Sequence, residues 1–291
     1  ASGALLCCSV WGKIDAGMAG SGRLEMSATS KFHVTEAGSG TTPLIFVHGY
    51  GCDQNMWRFV APSFADSHKT LCYDLTGMGG SDIRAYDLDR YAKLEAHADD
   101  LGAILSELDL NDAVIIGHSV GATIACLAAL RYGDRIKALG LIAPSPSFIN
   151  DGDYIGGFDR KDVEQLLDMM EQNFFDWAQY VTPLIAGQDP AGETSGELAQ
   201  SFCRNDPTIS KHFARVTFLA DHRADIARVN HPALVLQCSN DALAPTEVGA
   251  WMARHMKGGD LREIEATGHC PHMTEPAKTI AEIRGFLGRL D

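Results

Sequence analysis

Residues 113–130 read AVIIGHSVGATIACLAAL. Four apolar residues typical of a buried strand lead to Ser119, and a run of helix-forming residues follows directly. A serine between a strand and a helix, with Gly117 and Gly121 two positions to either side, is typical of a nucleophile elbow. The sequence therefore predicts that Ser119 is a catalytic nucleophile.

The two glycines have a steric explanation. A side chain at either position would collide where the strand and the helix pack closely, and the serine between them must adopt a strained backbone conformation. The helix that begins at Val120 directs free N–H groups toward charge that develops at the serine. An ordinary helix cap would explain Ser119 but not the glycines.

The composition limits the class of protein. The 291 residues are 45% hydrophobic and 21% charged, which is typical of a globular chain with a substantial core. The net charge of −14 disfavours a nucleic-acid partner. None of the eight cysteines forms a C-x-x-C metal motif, so we expect reduced thiols in a cytoplasmic protein.

The first 29 residues have little periodicity, and we expect them to lie outside the folded domain without regular structure. Met26 resembles a natural start, so the residues before it would come from cloning or from a translated upstream stretch. The apolar patch at residues 4–11 lacks a preceding basic residue and is too short to span a bilayer. No membrane contact is predicted, and a secretion signal is the alternative.

Strand and helix patterns alternate along most of the chain. Strands are predicted over residues 31–37, 44–47, 70–75, 113–116, 138–143, 233–238 and 261–266, and helices over 56–65, 91–108, the run after Ser119, and 277–290. This alternation predicts a mainly parallel sheet with helices on both faces.

The alternation stops between residues 144 and 221. Four helices are predicted there, over residues 160–173, 175–186, 193–203 and 207–219. An aromatic-rich helical insertion predicts a lid, residues 147–220, over an apolar cavity, with the core formed by residues 30–146 and 221–291. The candidate pocket residues are His118, Phe148, Phe158 and Trp177.

The strand at residues 44–47 ends in His48-Gly49-Tyr50-Gly51. An H-G-x-G turn at this place supplies one half of an oxyanion hole through a backbone N–H, here that of Tyr50. The N–H of Val120 would supply the other half. His48 itself is expected to brace the loop.

Asp241 and His269 each follow a predicted strand, and the chain order Ser119, Asp241, His269 matches a known catalytic order. His269 would take the serine proton, and Asp241 would orient the imidazole. Two alternatives stay open: Asp241 could be a turn residue only, and His272 could be the base. Gly268 favours His269, because it fits a sharp loop after the strand.

A family resemblance covers nearly all of the chain from residue 31. It is carried by His48 to Gln54, Gly117 to Ala122, Pro144 to Pro146 with Ile149 to Asp151 and Tyr154 to Phe158, Asp221 to Arg223, and Gly268 to Met273. These motifs resemble the RsbQ type of α/β-hydrolase, which acts in the bacterial stress response and is similar to the plant karrikin and strigolactone receptors. One departure is Tyr50, where the family usually has phenylalanine, and its hydroxyl is expected in the pocket wall.

The resemblance implies an α/β-hydrolase fold with a four-helix lid, an intact triad, and a small hydrophobic ester or lactone as substrate. The sequence thus predicts a serine carboxylesterase for short-acyl esters. The alternative is a ligand-sensing regulator with slow hydrolysis and a regulatory protein partner. Neither function requires a metal or an organic cofactor.

Overall fold

A computed structural model of the chain describes residues 26–290. Its centre is a seven-stranded sheet in the order β1-β3-β2-β4-β5-β6-β7. The strands are β1 (Thr35–Ala37), β2 (Pro43–Val47), β3 (Lys69–Tyr73), β4 (Ala113–His118), β5 (Ile136–Ile142), β6 (Ala233–Asn240) and β7 (Gly259–Thr267). Strand β1 pairs antiparallel with β3, and the other neighbours are parallel, so the predicted architecture is confirmed.

Eleven α-helices surround this sheet in the described part of the chain. They are α1 (Ala28–Lys31), α2 (Glu95–Glu107), α3 (Val120–Arg131), α4 (Arg160–Gln172), α5 (Phe174–Ala186), α6 (Glu193–Arg204), α7 (Pro207–Phe218), α8 (Arg223–Ile226), α9 (Thr246–His255), α10 (Pro271–Thr274) and α11 (Pro276–Leu287). Within residues 26–290, no helix is both long and apolar enough to cross a membrane.

Strand β4 lies at the centre of the sheet, and every residue of β4 and of β2 is buried. Their apolar runs are continuous because both faces of a parallel sheet are covered by helices. The carboxyl ends of β2, β4, β6 and β7 share one edge, so the loops after these strands lie close together.

Helices α4 to α7 form an insertion between β5 and β6, close to the bounds that the sequence predicted. The insertion is tied to the loop after β2. Arg58 makes two hydrogen bonds of 2.7 and 2.6 Å to the Glu197 carboxylate of α6. The carbonyl oxygen of Gly51 accepts hydrogen bonds from Ser201 Oγ at 3.0 Å and from Asn205 Nδ2 at 2.9 Å.

The structure differs from the sequence prediction near the amino terminus. Helix α1 begins at Ala28, although residues up to 29 were expected to lack regular structure, and Glu107 accepts hydrogen bonds from the backbone and hydroxyl of Thr29. Strand β1 is correspondingly shorter than expected. The predictions for residues 1–25, including Cys7 and Cys8, lie outside the described residues.

The helix predicted over residues 56–65 is instead two short 3₁₀ turns, Gln54–Trp57 and Ala61–Phe64. Pro62 explains the break, because it cannot donate the backbone hydrogen bond of an α-helix. The helix predicted from residue 91 begins at Glu95, after a separate 3₁₀ turn. Besides α1, the helices α8, α9 and α10 were not predicted.

Candidate active site

Ser119 occupies the sharp turn between β4 and α3. Its backbone has φ 54° and ψ −123°, a region that residues other than glycine rarely adopt. A Cβ at Gly117 would lie 2.4 Å from the Gly121 carbonyl oxygen, and one at Gly121 would lie 2.6 Å from the His48 carbonyl oxygen. Both positions therefore require glycine, for the steric reason that the sequence pattern indicated.

The structure brings Ser119, His269 and Asp241 into one hydrogen-bonded chain. Ser119 Oγ lies 2.8 Å from His269 Nε2, and His269 Nδ1 lies 2.7 Å from Asp241 Oδ2. A carboxylate only accepts hydrogen bonds, so Nδ1 carries the proton and Nε2 accepts from the serine hydroxyl. This arrangement can remove a proton from Ser119.

Asp241 is held in its charged form by its neighbours. Its side chain is 0% exposed, and this burial alone would raise the pKa of the carboxyl group. The pKa is nevertheless lowered, because His269 and two backbone N–H groups favour the carboxylate. Those N–H groups, of Leu243 and Ala244, donate to Oδ1 at 2.8 and 3.1 Å. Asp241 therefore forms a turn, as one alternative proposed, and is also the hydrogen-bond partner of His269.

Two backbone N–H groups next to Ser119 are available to an anion. Val120 is the first residue of α3, where an N–H has no acceptor within its own helix. The N–H of Tyr50 has no acceptor among residues 26–290. These are the two donors that the sequence predicted for an oxyanion hole.

His48 and His118 connect the loops around the site. His48 accepts from the N–H of Leu75 at 2.9 Å and donates to the carbonyl oxygen of Gly49 at 2.8 Å, which braces the loop after β2. His118 Nε2 donates to the carbonyl oxygen of His269 at 2.7 Å. Burial and the nearby His269 lower the pKa of His118 to about 3, so this ring is neutral.

His272 does not contact Ser119, so the geometry favours His269 as the base. The His272 ring lies between the rings of Trp57 and His118, with centroid distances of 4.6 and 4.3 Å. Together with Cys270, the two histidines form a buried group with the side-chain types of a metal site. Burial raises the pKa of the Cys270 thiol, so without a bound cation this group holds a neutral thiol.

A small, partly open cavity of about 20 Å³ lies beside Ser119. It has space for about one water molecule. Three inserted helices contribute side chains to its wall. The lining residues are Tyr50, Cys52, His118, Ser119, Ile185, Leu198, Phe202, Thr217, Phe218, Leu243, His269 and Cys270.

Of the four predicted pocket residues, only His118 lines this cavity. Phe148 lies behind Phe218, with ring centroids 5.2 Å apart. Trp177 packs edge-on against Tyr50 at 6.3 Å, and Phe158 is partly buried against the core. The prediction for these three aromatic residues is corrected: none of them lines the cavity, and Phe148 and Trp177 pack against residues that do.

The hydroxyl of Tyr50 does not lie in the pocket wall, where the sequence analysis expected it. It donates to the backbone carbonyl oxygen of Ser210 in α7 at 2.9 Å. The ring lines the cavity, but the hydroxyl is used within the fold and ties the loop after β2 to the insertion.

The surface group around Arg223 has no part in this site. Arg223 pairs with Asp221 and Asp151 at 2.7 and 2.6 Å, and His222 lies 3.0 Å from Asp225. These contacts hold the chain where the insertion rejoins the core.

Comparisons with known proteins agree with the fold. A sequence profile described as the Alpha/beta hydrolase family matches residues 44–283. The chain is 34% identical over 248 residues to strigolactone esterase RMS3 of Pisum sativum, covering 84% of this chain and 92% of that protein. It is 32% identical over 244 residues to karrikin insensitive 2 receptor IA of Petunia hybrida, covering 84% of this chain and 89% of that protein.

A solved structure of a hydrolase from Oleispira antarctica, olei00960, superimposes with a TM-score of 0.87. The two chains are 40% identical, and the match covers 89% of this chain and 96% of the other. The predicted α/β-hydrolase fold and the resemblance to the plant strigolactone and karrikin proteins are therefore confirmed.

Proposed function

The chain belongs to the alpha/beta hydrolase family, and from that premise we propose that it is a serine carboxylesterase that cleaves small or short-acyl esters and lactones. One observation carries the proposal: Ser119, His269 and Asp241 form a hydrogen-bonded chain with distances of 2.8 and 2.7 Å. The esterase named among the relatives supports the same reaction class.

In the first half of the reaction, Ser119 Oγ attacks the ester carbonyl carbon while His269 Nε2 takes the hydroxyl proton. His269 then returns that proton to the leaving alcohol as the carbon–oxygen bond breaks, which leaves an acyl group on Ser119. Asp241 holds the Nδ1–H tautomer and stabilises the positive ring. In the second half, water attacks the acyl carbon by the same proton path and releases the acid.

The N–H groups of Tyr50 and Val120 would bind the negative oxygen of the tetrahedral intermediate. Donors fixed in advance for this charge are among the largest single contributions to catalysis, and removal of one typically costs about 3 kcal/mol. The strained turn at Ser119 supports this role, because it places the hydroxyl and the N–H of Val120 beside one another.

We propose that residues 147–220 act as a lid on a core formed by residues 30–146 and 221–291. The cavity of about 20 Å³ supports this, because an ester substrate is larger than one water molecule. In this proposal, the inserted helices move away from Ser119 when substrate enters. We also propose a reducing cytoplasmic location, which the free thiols of the six described cysteines support.

A second candidate function is an RsbQ-like regulator that hydrolyses its ligand slowly and signals through a protein partner. The small volume of the cavity supports it, since slow opening of the site would limit turnover. The 32% identity to a protein named as a karrikin receptor points the same way.

Steady-state hydrolysis of p-nitrophenyl esters from acetate to octanoate separates the two candidates. An esterase should turn over acetate or butyrate many times per second, lose this activity in Ser119→Ala, and discriminate against long chains. A regulator should label once at Ser119 and then turn over only a few times per hour. Turnover that persists in Ser119→Ala would contradict both.

A further inference from the structure

Thr217 presents a hydroxyl group that the fold leaves unused. It lies in the last turn of α7, is 4% exposed, and lines the same cavity as Ser119. Its Oγ1 has no hydrogen-bond partner among residues 26–290. A helical threonine can bond back to the carbonyl one turn earlier, but Thr217 does not. Buried hydroxyl groups normally have partners, so this one requires an explanation.

The other polar groups in the cavity wall are either hydrogen-bonded within the protein or crowded by its backbone. Ser119 and His269 bond to each other, and the Tyr50 hydroxyl donates to the Ser210 carbonyl. His118 donates through Nε2. Its Nδ1 has no hydrogen-bond partner in the described part of the chain either, but it lies so close to the Gly49 backbone that a Cβ at Gly49 would be only 2.6 Å away, so Nδ1 is crowded by the protein itself.

The rest of the wall consists of apolar side chains and two thiols. Burial raises the pKa values of both Cys52 and Cys270, which keeps them as weakly hydrogen-bonding thiols. Among the described lining residues, Thr217 therefore offers the one strong side-chain hydrogen-bonding group that a ligand can use without breaking an existing contact.

We propose that Thr217 determines specificity by hydrogen-bonding a second oxygen atom of the substrate. The preferred substrate is then a small ester or lactone that carries an ether, keto or hydroxyl oxygen besides its reacting carboxyl group. This inference rests on the proposed esterase function and adds a substrate class to it. A hydrocarbon substrate of the same shape would leave the buried hydroxyl unpaired, and such sites discriminate strongly against the poorer partner.

The test compares substrates in which an ether oxygen replaces one methylene group. Suitable pairs are p-nitrophenyl methoxyacetate with butyrate and 3-methoxypropionate with valerate on the acyl side, and 2-methoxyethyl acetate with butyl acetate on the alcohol side. The quantity measured is the ratio of kcat/KM within each pair, in the wild type and in Thr217→Val, which keeps the shape but lacks the hydroxyl. Comparing the two proteins cancels the intrinsic reactivity of the esters.

For at least one pair, Thr217→Val should lower the preference for the oxygenated ester about tenfold, the effect of losing one buried hydrogen bond. Thr217→Ser keeps a hydroxyl and should retain most of the preference. Equal ratios in wild type and Thr217→Val for every pair would overturn the proposal. So would a Thr217→Ser variant that behaves like Thr217→Val, since the methyl group would then decide the selectivity.

Two further measurements separate specificity from folding and from the esterase proposal itself. The melting temperature of Thr217→Val should equal or exceed that of the wild type, because no internal hydrogen bond is lost. A fall of several degrees would indicate a structural hydroxyl and overturn the inference.

In the Ser119→Ala background, 1,4-dioxan-2-one should bind more tightly than δ-valerolactone, and Thr217→Val should remove the difference in affinity. Failure of Ser119→Ala to stop turnover would contradict the esterase mechanism alone.

Discussion

Replacing Asp241 with asparagine should reverse the tautomer of His269. In the wild type, Asp241 Oδ1 accepts two backbone N–H groups, and Oδ2 accepts the Nδ1 proton of His269. An asparagine must keep its single oxygen on the backbone donors, so its NH₂ group faces Nδ1. Nδ1 then has to accept, and the ring proton moves to Nε2. A protonated Nε2 cannot take the proton of Ser119.

The expected loss follows from this geometry. Without a base, the serine attacks as a neutral hydroxyl, and reversal of the tautomer in a comparable triad lowers kcat about 10⁴-fold. At about 1.36 kcal/mol for each factor of ten, this corresponds to about 5.5 kcal/mol of transition-state stabilisation. KM should change little, because Asp241 is buried behind His269 and does not line the cavity.

The assay is steady-state hydrolysis of p-nitrophenyl butyrate, together with nitrogen-15 NMR of the histidine ring to identify the protonated nitrogen. Asp225→Asn is a matched control, since Asp225 lies 3.0 Å from His222 at the surface, away from Ser119. It should retain full activity. An Asp241→Asn enzyme within tenfold of wild-type kcat, or one with the Nδ1 proton still in place, would refute the assigned roles.

Three more predictions concern packing, pH and the lid contact. Gly121→Ala should abolish labelling by a fluorophosphonate and lower the melting temperature, because its Cβ would lie 2.6 Å from backbone oxygens at the end of β2. Gly196→Ala is the control: its Cβ would have open space around it, so this change should stabilise the protein by up to about 1 kcal/mol. Equal behaviour of the two variants would contradict the elbow geometry. His97 is buried without hydrogen-bond partners in the described chain, and burial lowers its pKa to about 3. Protonation of this ring in the unfolded chain therefore lowers the stability of the wild type as the pH falls below about 6.5. His97→Phe should raise the free energy of unfolding, measured in urea, by about 2 kcal/mol more at pH 5 than at pH 8. A gain in unfolding free energy that does not depend on pH would contradict this. Tyr50→Phe removes one hydrogen bond to α7 and should lower the unfolding free energy by about 1 kcal/mol while speeding amide hydrogen exchange in α7; unchanged exchange there would show that the contact does not hold the lid.

The features predicted most closely from the sequence depend on local rules. The elbow could be recognised because the strained turn at Ser119 demands glycine two residues away on each side, and a Cβ at either position indeed meets backbone atoms. Asp241 and His269 could be chosen because parallel strands end at one edge of the sheet. The order of the three residues along the chain and their positions after strand ends were sufficient to predict that Asp241 and His269 lie near Ser119.

The cavity wall could not be predicted in the same way. The inserted helices carry apolar residues on several faces, so helical periodicity alone does not show which face is directed toward Ser119. Trp177 was therefore assigned to the pocket, while Phe202 and Thr217, which line it, were missed. The partner of the Tyr50 hydroxyl lies 160 positions further along the chain, and no local pattern identifies a contact at that distance.

The proposed mechanism passes through a covalent acyl-enzyme on Ser119, which acid quenching during turnover of p-nitrophenyl acetate would trap. Mass spectrometry of the digested protein should find one acetyl group on the peptide that contains Ser119, and none in Ser119→Ala. His269→Ala should form this adduct far more slowly. An acetyl group on Cys270 or His272 instead, or rapid turnover with no acetylated peptide, would contradict the mechanism.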